Sequence, residues 1–65
     1  MEIWFYFHLL NGLIKPVRMK INKTERPEKD CYIKMEINNS EILGIVVSIV
    51  YDYDAQIITY KINEL

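Results

Sequence analysis

Sixty-five residues carrying a formal net charge of −1 leave room for one small domain, residues 1–65, and give little general attraction for a polyanion. The single cysteine excludes an internal disulfide, and one cysteine with one histidine does not assemble a structural zinc site unless carboxylates are recruited. Burial must therefore offset the ordering entropy, and 51% of the residues are hydrophobic, eleven of them isoleucine.

Apolar and polar residues alternate with period two in five runs, Ile3–Leu9, Leu13–Ile21, Cys31–Ile37, Ile42–Tyr51 and Gln56–Ile62. Such alternation is how a half-buried strand divides core from water, and β-branched and aromatic residues fill the runs as a pleated surface favours. Nothing reads as a helix.

The first two runs meet at Leu10-Asn11-Gly12. A two-residue Asn-Gly turn sets Phe5 against Arg18 and Ile3 against Lys20. A three-residue loop, with Gly12 left-handed in a bulge, sets Ile3 against Met19, Phe5 against Val17 and Leu9 against Leu13. The second register keeps apolar residues together on one face, so it is the one expected. It pairs Trp4 with Arg18 and Glu2 with Lys20 on the other face, offering a cation–π contact and an ion pair. Its blemish is Lys15 opposite Phe7, beside Pro16, where the strand is expected to bend or fray.

Asn22–Asp30 is dense in charge and holds Pro27, which reads as a loop with room for a single helical turn after the proline. In the third run Cys31, Ile33, Met35 and Ile37 point one way, and Tyr32, Lys34 and Glu36 the other. Asn38-Asn39-Ser40-Glu41 supplies a turn. The fourth run carries Leu43, Ile45, Val47, Ile49 and Tyr51 on its expected core face. Its other face, with Ile42, Val46 and Val50, is also apolar, which predicts a strand that is central or covered on both sides. Gly44 marks a bulge or a sharp bend within it. With Asp52–Ala55 as the last turn, Ile49 meets Ile58, Val47 meets Tyr60 and Ile45 meets Ile62. The expected architecture is all-β: five antiparallel strands in an up-and-down meander, curled into a small half-open barrel of the SH3-like or OB-like kind. Such folds host many functions, so the architecture does not itself name one.

No catalytic constellation emerges. His8 is the only histidine and lies on the Trp4/Tyr6 side, opposite Ile14, whereas Cys31 is expected in the core as an inert apolar residue. Asp52 and Asp54 read as turn formers, since two carboxylates alone make a poor calcium site. Gly12 and Gly44 form no phosphate-cradling loop. The chain is expected not to be an enzyme, and no cofactor or metal is implied.

Charge divides unevenly. Residues 1–34 hold seven Lys/Arg against four Asp/Glu, or +3, and residues 35–65 hold one against five, or −4. The first hairpin gathers Trp4, Tyr6, His8, Arg18 and Lys20 on one face, the expected binding surface. Trp, Tyr and Arg are the enriched anchors of protein interfaces, which favours a protein partner and a role as regulator or inhibitor. The same residues can stack single-stranded nucleic acid, the alternative reading, and sequestration of a small ligand by an oligomer is a third. An outer row of Val46, Val50 and Ile57 predicts self-association as a homo-oligomer. The apolar run Trp4–Leu10 has Glu2 in place of a basic leader region and is too short to cross a bilayer, so no membrane role is expected. The lone cysteine fits a reducing, cytoplasmic setting. The wealth of Ile, Lys and Asn points to an AT-rich genome, bacterial or bacteriophage.

Overall fold

In the computed structural model, which describes residues 1–19 and 26–65, the alternating runs become five strands: β1 (Glu2–His8), β2 (Ile14–Met19), β3 (Tyr32–Ile37), β4 (Ser40–Asp52) and β5 (Ile57–Glu64). They form a single sheet that curls through 213° into an open half-barrel. Its inner face holds Ile3, Phe5 and Phe7 of β1, Val46 of β4, and Ile58, Tyr60 and Ile62 of β5 as the buried core.

The first hairpin has the register expected of a three-residue loop. Ile3 lies opposite Met19, Trp4 opposite Arg18 and Phe5 opposite Val17. Gly12 has φ 88°, Leu9 N–H donates to the Leu13 carbonyl at 2.8 Å, and Gly12 N–H donates back to Leu9 at 3.0 Å. Asn11 completes the turn by accepting the Leu13 N–H on its Oδ1. The second hairpin closes through Asn38 and Asn39, both left-handed at φ 51° and 64°, which suits the twist of the flanking strands.

The meander is corrected. The spatial order is β2-β1-β5-β4-β3, with β1 and β5 parallel and the other neighbours antiparallel. The last strand returns to the first, setting Ile3, Phe5 and Phe7 beside Ile58, Tyr60 and Ile62. These two rows supply six of the seven buried core residues, and joining them keeps both at the centre of the sheet. β2 and β3 become its two edges. Pro16 is tolerated in β2 for that reason, because in an antiparallel ladder alternate residues turn their N–H outward. The Leu9–Leu13 bond fixes Pro16 as one of the outward ones.

The fourth strand departs from expectation in register. Ile49 meets Tyr60 and Tyr51 meets Ile58, a displacement of two residues, and a bulge between Val46 and Ser48 then brings Val46 opposite Ile62. A bulge adds one residue to one strand and so exchanges its faces beyond that point. Val46 turns into the core and is fully buried, whereas Ile45, on the expected core face, turns outward. Gly44 lies inside rather than at the bulge. A Cβ there meets Ile62 Cγ2 at 2.5 Å and the Asn63 carbonyl oxygen at 2.9 Å, so glycine permits the close approach of β5. Cys31 precedes β3, next to left-handed Asp30, and is exposed rather than in the core. A turn closed by Cys31 N–H donating to the Glu28 carbonyl stands where a helical turn after Pro27 was expected. Of the loop Asn22–Asp30, residues 22–25 lie outside the described residues.

The two glycines give a graded test. Gly44→Ala is expected to lose about 1–3 kcal/mol of unfolding free energy through overpacking. Gly12→Ala, whose Cβ meets nothing within 4 Å but whose φ is left-handed, is expected to lose about 1 kcal/mol. Urea denaturation measures both, and a larger loss at Gly12 than at Gly44 contradicts this account of the core.

Candidate interaction surface

Strand alternation turns Glu2, Trp4, Tyr6 and His8 to the outer face of β1, all half-buried, with Arg18 and Pro16 beside them on β2. The expected cluster Trp4, Tyr6, His8 and Arg18 thus shares one face, whereas Lys20 lies outside the described residues. His8 stands opposite Ile14, as expected. The Trp4 and Tyr6 rings lie 6.4 Å apart, tilted by 33°.

The electrostatics of the face centre on Glu2. One carboxylate oxygen accepts the Trp4 indole N–H at 3.2 Å, and the other pairs with the Arg18 guanidinium at 3.0 Å. In place of the expected cation–π contact between Arg18 and Trp4, Glu2 reaches diagonally to Arg18, because the carboxylate is the stronger acceptor for a guanidinium. The ion pair expected from Glu2 to Lys20 falls outside the described residues.

Parallel pairing adds residues that local sequence patterns do not bring to this face. Thr59 lies beside Trp4, Lys61 beside Tyr6, Ile57 beside Glu2 and Asn63 beside His8. From β4, Val50 continues the row at Thr59 and is 58% exposed. The result is a band of aromatic and aliphatic carbon from Pro16 to Val50, with Lys61 as an exposed cation that makes no ion pair among the described residues. Of the expected self-association row, Val50 and Ile57 belong to this outer face, but Val46 does not; it is core.

On the inner side, Phe5 packs edge-on to Tyr60 with centroids 4.9 Å apart. The buried Tyr60 hydroxyl has no hydrogen-bond partner among the described residues. Burial holds its pKa above the ordinary phenol value of 10.0, Tyr51 pushes the same way, and Arg26 opposes. At the β4–β5 turn, Tyr51 and the exposed Tyr53 stack at 6.3 Å. Asp52 Oδ1 there accepts the Ala55 N–H at 3.0 Å, the work of a turn former. No group of three or more His, Cys, Asp or Glu gathers in metal-binding geometry among the described residues. No helix among them is long and apolar enough to cross a membrane. Comparison of the chain with protein-family models, curated proteins and solved structures gives no match.

Two outcomes follow from these side chains. Because the folded state prefers the neutral Tyr60 phenol, its contribution to stability is whole below pH 10 and is lost as pH rises through the raised pKa. Tyr60→Phe removes both the orphaned hydroxyl and that alkaline loss, so thermal melts from pH 8 to 11 are expected to show a flatter decline, with stability at pH 8 unchanged or higher by about 1 kcal/mol. Glu2→Ala exposes the Arg18 charge but removes only an exposed pair, so the fold is expected to lose no more than about 1 kcal/mol, read by urea titration.

Proposed function

We propose that this chain is a non-enzymatic interaction module whose outer Trp4/Tyr6 face binds another protein as a regulator or inhibitor. The observation that carries the reading is the Glu2 carboxylate bound to both the Trp4 indole and the Arg18 guanidinium. It engages the Arg18 cation, one of the two basic groups expected to hold a phosphate, and sets the indole ring in a defined orientation. What remains is a half-buried aromatic band edged by Pro16, Thr59, Ile57 and Val50. Rigid aromatic groups within an apolar patch are how protein interfaces concentrate their energy. The chemistry fits a partner offering apolar side chains to the band and an acceptor to Lys61. A cytoplasmic site of action accords with the unpaired cysteine.

Lys61 beside Tyr6 is the observation that keeps single-stranded nucleic acid as the rival reading. Titration with mixed-sequence oligonucleotides at low salt separates the two. The protein-binding reading expects no saturable binding, and expects Trp4→Ala to abolish partner capture while the far-UV spectrum stays native. Saturable oligonucleotide binding that falls steeply with salt and is lost in Trp4→Ala overturns it.

A further inference from the structure

Beyond the aromatic face, the fold leaves a second recognition element: the free edge of β3. β5 pairs with β4 from Gly44 onward, so the part of the β3–β4 hairpin between Met35 and Ile42 continues past the end of β5 with only one neighbour for each strand. Val46 N–H donates to the Cys31 carbonyl at 2.9 Å, which fixes the ladder phase. Cys31, Ile33, Met35 and Ile37 bond to β4, and the N–H and C=O groups of Tyr32, Lys34 and Glu36 turn outward at the edge. The opposite edge of the sheet, β2, is blunted by Pro16, which has no N–H to offer. Among the described residues, the β3 edge has no such block.

Its charges are self-complementary. Lys34 pairs with Glu41 at 3.0 Å, whereas Glu36 lies directly opposite Glu41, a like-charge neighbour, and makes no ion pair among the described residues. We propose that the β3 edge pairs antiparallel with the β3 edge of a second copy of this chain, Lys34 of each copy facing Glu36 of the other. This register joins the outward main-chain groups, so each Lys34–Glu36 pair exchanges two N–H···O bonds. It brings Met35 against Met35 on the two-fold axis and Ile33 against Ile37 on the inner face. Glu36 then gains a cation that no described residue of its own chain supplies. Slipping by two residues sets Lys34 against Lys34 or Glu36 against Glu36, and slipping by one misaligns the hydrogen-bonding groups, so charge and ladder phase select one register. The interface is isologous and closes at two copies, because the edge consumed is the one that is open.

Sedimentation equilibrium from micromolar to millimolar protein tests the pairing. The wild-type chain is expected to pass from 7.8 kDa monomer to dimer over this range, as a small edge interface allows. Glu36→Lys sets like charges across the axis and is expected to weaken the dimer at least tenfold, about the effect of one misplaced interfacial charge. It also replaces the repulsion from Glu41 by attraction, so the thermal midpoint of the monomer is expected to hold or rise. The swap Lys34→Glu with Glu36→Lys restores opposite charges across the axis and is expected to restore the dimer. A chain that stays monomeric throughout overturns the proposal. So does a dimer indifferent to Glu36→Lys, which assigns self-association to another face. Failure of the folded swap variant to recover also overturns it.

Discussion

The parallel pairing of β1 with β5 is the constraint on which the rest of this structure depends. It sets Phe5 edge-on against Tyr60 and places Phe7 beside Ile62, and every core residue except Val46 belongs to one of these two strands. A parallel pair requires the chain to leave the sheet centre and return, here by way of β2, β3 and β4. The return has a thermodynamic reason. A 65-residue domain has room for only a small core, and joining the rows that carry its largest buried side chains keeps them both away from the sheet edges, where water reaches one side.

The same pairing decides what the edges and the outer face become. With β1 and β5 central, β2 and β3 are the sheet edges, and the chain treats them differently. In β2 a proline sits at an outward-facing position; in β3 an alternation of Lys and Glu does, and such charges discourage most registers while permitting a complementary one. The outer face is assembled from four strands drawn from the two ends of the chain, so its apolar band forms only when β1 pairs with β5. Its electrostatic character is then set locally by Glu2, whose two oxygens bind an indole and a guanidinium at once. Exposed pairs of this kind add little to stability. Here the carboxylate ties the Arg18 cation and the Trp4 indole to one another across the outer face.

The bulge near Val47 serves the curl. It lets the thirteen-residue β4 serve two partners, pairing with β3 through its first half and with β5 through its second. The bulge rotates Val46 inward to complete the core and frees Ile45 for the outer side. Gly44 is placed where the Ile62 side chain and the Asn63 carbonyl crowd the strand, so its missing Cβ accommodates tight packing rather than a special backbone angle.

What the residues determine by themselves is local. Period-two alternation identifies all five strands, Gly12 and the Asn38-Asn39 pair set their turns, and the choice between two registers of the first hairpin follows from which one segregates apolar side chains. The grouping of Trp4, Tyr6, His8 and Arg18 follows from that register, so most of the candidate surface is legible in the sequence. Tertiary structure alone decided the rest. Alternation carries no information about which strands are neighbours, so the meander expected from chain order gave way to a pairing driven by total burial. That pairing placed Lys61 and Thr59 beside Tyr6 and Trp4. A bulge leaves no mark in a strand that is apolar on both faces, since either face of β4 could serve the core until β5 packed against it. Val46 therefore became core rather than contact surface, because its environment is set by the strand beside it and not by its neighbours in sequence.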